Sequence, residues 1–155
     1  MPTLVLAPSL FDRQDVLRAV STIAGDSKDF VDSPLKFSHA VVSAAFDALP
    51  QPPPEEDVRV WYAGHFEAPG SDLSPCALPD FAPAPPFSLR NPALQAWMTA
   101  LHGEWPLLAR CVSPRTRAQP ERHTLAWAPH ALVVPGGRFR ESYLWDSYWI
   151  VEGLL

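Results

Sequence analysis

Cysteine is scarce: the 155 residues contain two, Cys76 and Cys111, with no CxxC pair and no Cys/His spacing that would hold a metal. An oxidising compartment would allow one bridge between them. Spacing does not test the geometry a bridge needs, and two separate thiols are the expectation. Long apolar runs are also missing. No stretch approaches the about 20 residues that span a bilayer, which argues against a membrane partner. Met1, Pro2, Thr3, Leu4, Val5, Leu6, Ala7 and Pro8 are largely apolar but lack a basic n-region and a long h-region. They make a poor signal peptide and lean the compartment towards the cytoplasm. Positive charge is short too, with a formal net charge of −5. A nucleic-acid surface needs clustered Lys and Arg to displace counterions, so nucleic acid is excluded as a partner. The basic run over residues 110–122 is broken by prolines, includes no aromatic residue and reads as a solvated loop. His39, His65, His102, His123 and His130 have no mutual metal spacing.

Hydrophobic residues make up 47% of the chain, enough for a packed core in a chain of one domain's length. The 19 prolines imply long connections between a few regular elements. Six tryptophans suit deep packing or stacking against a sugar's C–H face. A first helix is predicted over residues 12–24, capped by Asp12 and stopped by Gly25, with Val16, Leu17, Val20 and Ile23 on one face. Residues 26–36 read as an extended polar stretch with apolar anchors. A second helix is predicted over 38–49, with Val42, Ala45, Phe46 and Leu49 as its stripe, ended by the prolines of 50–54. Residues 55–66 fit strand and helix alike. The acids Glu55, Glu56 and Asp57 favour helix. Residues 68–89 read as a long loop. The clearest helix starts at Asn91 and Pro92 and runs to about Trp105, with Leu94, Trp97, Met98 and Leu101 in its stripe. Residues 111–129 read as another proline-containing connection. The apolar run 148–155 has no C-cap and no closing polar residues, so the sequence reads as cut and not concluded.

Residues 135–149 differ from everything before them. The turn Pro135, Gly136, Gly137 permits backbone conformations that side chains forbid and lets a ligand come close. Arg138, Phe139, Glu141, Tyr143, Trp145, Asp146, Tyr148 and Trp149 follow at once. A neutral sugar wants that mixture: its hydroxyls accept from a guanidinium and donate to a carboxylate, while its apolar face lies on a ring.

Pro135-Gly136-Gly137-Arg138-Phe139, then Glu141, Tyr143, Trp145-Asp146 and Tyr148, resemble the first signature of the trehalases at its proper spacing. Asp26-Ser27-Lys28 with Phe30-Val31-Asp32 is similar to that family's early segment, and residues 66–71 and 94–105 fit its layout. The resemblance runs from about Asp26 to Leu155. It implies a mainly α chain with long Pro-rich loops, the incomplete N-terminal portion of an (α/α)6 barrel, with residues 1–155 forming part of one catalytic domain. It implies inverting hydrolysis of α,α-trehalose, a small disaccharide, to two glucose molecules, without metal or organic cofactor. Arg138, Phe139, Trp145 and Asp146 are the positions it assigns to binding the glucose under attack. Leu144 stands where the family commonly has tyrosine, a change expected to matter little.

The same resemblance puts the family's general acid aspartate and general base glutamate, and its second signature, beyond Leu155. An inverting glycosidase needs two carboxyl groups roughly 6.5–9.5 Å apart. Glu141 and Asp146, five residues apart, would face different sides of a helix and are expected to orient, not to catalyse. No catalytic residue is therefore assigned, and the chain alone is expected to be inactive without the remainder of the barrel as partner. A structural role competes at each position. Arg138 is read as ligand-binding over pairing with Glu141, Phe139 and Trp145 as wall or core, and Tyr143, Tyr148 and Trp149 as packing. Asp26, Lys28 and Asp32 are read as fixing an N-terminal arm through salt links and turns. Two other functions stay open: a short non-catalytic sugar-binding or regulatory protein, and another glycosidase on the same barrel.

Overall fold

The computed structural model describes residues 9–78, 81–82, 85 and 87–154. The described residues form eight α-helices and three short strands. The fold is mainly helical, as expected, with a small sheet that the sequence did not announce. Residues up to Ser71 with Ala118–Thr124 make one compact unit, and Asp72–Arg117 with Leu125–Leu155 the other. The expectation for Met1 to Pro8 lies outside the described residues.

The first unit opens with a 3-10 turn, Leu10–Asp12, and α1, Gln14–Ser21. Asp12 does not cap α1 as expected. Ser9 takes its place one turn earlier: its hydroxyl accepts from Phe11 N–H, and Asp12 accepts in return from Ser9 N–H. Residues 26–36, expected to be extended, contain α2, Ser27–Val31. Asp26 starts it by accepting from Lys28 N–H at 2.9 Å, so a local cap outweighs a composition that reads as loop. α3, His39–Asp47, and α4, Glu55–His65, follow, and the ambiguous segment is helix. What decides it is packing. Val58 and Trp61, a turn apart, are buried with Val42 and Phe46, and Trp61 Nε1–H donates to Val42 O at 3.2 Å.

Val16 and Val20 from α1, Phe30 from α2, Leu35 and Phe66 complete this core. Its rings meet obliquely, Phe46 on Trp61 at 4.9 Å and Phe30 on Phe66 at 5.4 Å, as ring quadrupoles prefer. Burying a Phe side chain contributes on the order of 2–3 kcal/mol. Lys28 and Asp32 form an ion pair at 2.7 Å, the carboxylate wholly buried, and Ser33 meets the Tyr62 hydroxyl at 2.9 Å. Leu35 N–H donates to Arg122 O, and the Thr124 hydroxyl donates to Val31 O, which ties in the distant segment 118–124.

In the second unit β1, Leu73–Pro75, lies antiparallel to β2, Ala109–Val112, which lies antiparallel to β3, Leu132–Val133. β1 sits inside the stretch expected to be loop. Between β1 and β2 come α5, Pro92–His102, capped by Asn91 as expected, and α6, Trp105–Leu108. α5 stops at Gly103, short of Trp105. After β2 comes α7, Pro114–Ala118, so the basic run 110–122 is not a solvated loop. Arg110 Nη1 donates to Leu107 O and Ala109 O at 2.8 Å, and the Arg117 guanidinium lies 4.6 Å over the Trp127 ring. Cys76 and Cys111 are joined as a disulfide, which overturns the expectation of two separate thiols. The sheet is the reason. Antiparallel pairing of β1 with β2 brings their Cα atoms to 5.1 Å, a proximity that residues 35 apart in sequence do not advertise. The last helix, α8, spans Leu144–Leu154.

Candidate functional site

The site begins where β3 runs out. Val134 N–H donates to Leu108 O at 3.1 Å, and two residues later the chain reverses. Gly136 N–H donates to Phe139 O at 3.2 Å and Phe139 N–H to Gly136 O at 3.1 Å, a reciprocal pair that closes a two-residue hairpin. Gly137, at its first central position, has φ +60°, and among the described residues none with a side chain has positive φ. That is the sign pattern of a type II′ turn, which asks for glycine there. Gly136 has φ +96°, and a Cβ built on it would lie 2.9 Å from Leu108 Cδ2. Both glycines are demanded by the backbone.

Arg138 occupies the second central position and is exposed. Its guanidinium carbon lies 5.4 Å from the centroid of Phe139, itself 45% exposed, so cation and ring face solvent together. Phe139 is braced edge-on by Tyr143, centroids 6.0 Å apart. Glu141 is 7% exposed and Asp146 half-buried, so the two carboxylates occupy different environments, and Glu141 lies ahead of α8, not on it.

Trp145 and Asp146 lie in the first turn of α8, where exposed amides favour an acidic side chain. Trp145 is 75% exposed and touches Trp149 edge-on at 6.4 Å, while Tyr148 meets Trp149 at 5.0 Å. The structure thus pairs Arg138 with Phe139 on the hairpin and sets Trp145 and Asp146 six to eight residues on, at the start of the next helix. Tyr148 and Trp149, expected as packing, are both 58% exposed. Leu144 is almost wholly exposed.

Each unit also has a cleft of its own. In the first, about 380 Å³ is lined by Val20, Ile23, Ala24, Asp29, Arg59 and Tyr62, where burial pushes the Tyr62 phenol pKa up. In the second, about 290 Å³ lies between α5 and α8, lined by Phe87, Met98, Leu101, His102, Trp105 and Glu152. His102 Nε2–H donates to Ala82 O at 2.7 Å and its ring stacks on Phe81. Sequence reasoning gave His102 and Glu152 no role, and nothing in their spacing connects them. Among the described residues, no three His, Cys, Asp or Glu side chains converge as a metal would require, and no helix is long and apolar enough to cross a membrane.

Helices joined by long proline-rich connections, with a glycine hairpin that offers a cation and rings to solvent, define a mainly α protein with a polar-aromatic surface site. Residues 22–155 match the family model described as Trehalase. The chain belongs to the trehalase family. It is 38% identical to the trehalase of Homo sapiens over 136 residues, 84% of this chain and 23% of the human protein. It is 40% identical to a probable trehalase of Oryza sativa subsp. japonica over 148 residues, 92% of this chain and 26% of that one. The trehalase of Dictyostelium discoideum is 30% identical over 144 residues, 88% of this chain and 24% of that one. The chain spans about a quarter of the length of the curated relatives it matches.

Proposed function

We propose that this chain supplies part of the sugar-binding wall for inverting hydrolysis of α,α-trehalose to two glucose molecules, as the N-terminal part of a single trehalase catalytic domain. Arg138 binds hydroxyls of the glucose under attack through its fork of N–H donors, and Asp146 accepts from others. Phe139 and Trp145 form the apolar wall against the ring's C–H face. The general acid and general base are assigned to sequence outside these 155 residues. Glu141, almost wholly buried, is assigned an orienting role.

The observation that carries this reading is the hairpin, which holds Arg138 and Phe139 side by side and open to solvent at 5.4 Å. The test is glucose release from trehalose by a longer gene product that includes this chain. Arg138→Ala is expected to lower turnover roughly ten- to a hundredfold, the range of one lost charge-assisted hydrogen bond, with Arg138→Lys restoring only part. Unchanged turnover in Arg138→Ala would remove the hairpin from the site.

A further inference from the structure

The Cys76–Cys111 disulfide lies away from the polar-aromatic cluster but in the sheet from which the glycine hairpin springs. β2 is the middle strand. One edge carries β1, three residues long and including Pro75, which has no N–H to donate. The other edge carries β3, paired with β2 through two residues only, Ala109 with Val133 and Arg110 with Leu132. Strands this short are not stable alone. Cys76 N–H donates to Ala109 O at 3.1 Å, so Cys76 stands opposite Ala109 and its sulfur reaches diagonally to Cys111. The bond closes a loop that holds α5, α6 and Leu108. Leu108 holds the approach to the hairpin, its carbonyl accepting from Val134 N–H, and its side chain fills the space a Cβ on Gly136 would need. Both cysteines are partly exposed, so a small thiol can reach them.

We propose that the Cys76–Cys111 disulfide is a redox-sensitive clasp that sets the rigidity of the Gly136–Phe139 hairpin through β2 and Leu108. A dithiol reductant opens it. One reductant thiolate attacks a cysteine sulfur, the S–S bond breaks, and the released thiolate takes up a proton. The second reductant thiol then displaces the remaining cysteine as its thiol. The protein gains two electrons and two protons, and the reductant leaves as its own disulfide. With the bond open, β1 separates from β2, the loop that carries Leu108 relaxes, and the hairpin loses its buttress. The clasp stands apart from the sugar-binding reading, and its test needs no sugar.

The experiment uses the purified chain. Alkylation under denaturing conditions without reductant, read by intact mass, is expected to add no adduct; two adducts overturn the proposal at once. Amide hydrogen exchange is then compared before and after dithiothreitol. Exchange at Cys76, Val134, Gly136 and Phe139 is expected to speed up tenfold or more, while Val42 and Leu35 in the other unit stay unchanged. Equal exchange at 134–139 in both states overturns the clasp, and so does equal loosening of Val42 and Leu35, which would mean general destabilisation. Cys76→Ser with Cys111→Ser is expected to reproduce the reduced pattern. Titrating the unmutated chain with dithiothreitol gives the same reading should that variant fail to fold.

Discussion

Gly136 carries two separate demands, a φ of +96° and a neighbour 2.9 Å from where a Cβ would stand, and they differ in cost. Leu108 Cδ2 is the end of a flexible side chain and can give way. The backbone angle cannot be kept cheaply by a residue with a Cβ. Gly136→Ala is therefore expected to destabilise the second unit by about 1–3 kcal/mol, read as a lower urea midpoint and faster exchange at Phe139. Arg13 presents a milder case of residue-scale control. Its guanidinium bonds Asp15 at 2.5 Å and Asp47 at 2.6 Å, which raises its own pKa and lowers that of Asp15 to about 2. A depressed carboxylate stabilises the fold above its unfolded value of 3.8 and loses that contribution as pH falls from about 4 towards 2. Asp15 is 55% exposed, so solvent screens most of the effect. Asp15→Asn is expected to remove at most about 1 kcal/mol of acid-dependent stability, and a pH series of thermal midpoints checks it.

At the scale of elements, α2 shows how a five-residue helix survives. Its length is well below what isolated helices need, so cap and tertiary bonds must hold it. Asp26 supplies the cap, Phe30 the core contact, and Lys28 pairs across one turn with the buried Asp32. Lys28→Met leaves a buried carboxylate without that cation. The expected loss is on the order of 2–4 kcal/mol by urea unfolding, larger than for a surface pair because Asp32 cannot recover water. The expectation that Asp26, Lys28 and Asp32 act through turns and salt links agrees with this arrangement. α5 and α8 behave differently. Leu94 and Trp97 on α5, and Leu144, Trp145, Tyr148 and Trp149 on α8, are each more than half exposed. The α5 stripe was visible in the sequence, but what covers a stripe is not a property of the stripe.

For the molecule as a whole, that exposed surface and the proposed placement of the acid and base outside these residues lead to two expectations. The 155-residue chain alone should release no glucose from trehalose, and should bind an apolar fluorescent dye more strongly than a closed domain of its size. Glucose release by the purified chain would refute the placement of the acid and base outside it. The family membership rests on residues 22–155, whereas the roles of Arg138, Phe139, Trp145 and Asp146 wait on the assays above.

Local chemistry determined what the sequence could determine alone: the buried stripes of α1 and α3, the Asn91 cap of α5, and the glycine turn. Those features depend on neighbours within about one turn, which is the range a sequence pattern encodes. Pairing across distance was decided only in three dimensions. β1 with β2, Cys76 with Cys111, Leu108 against Gly136, and Arg122 against Leu35 are contacts between residues far apart in the chain, and their partners are chosen by packing that no local pattern records. Residues 55–65 mark the border between the two, since their pattern fitted helix and strand, and the burial of Val58 and Trp61 against Val42 and Phe46 settled it.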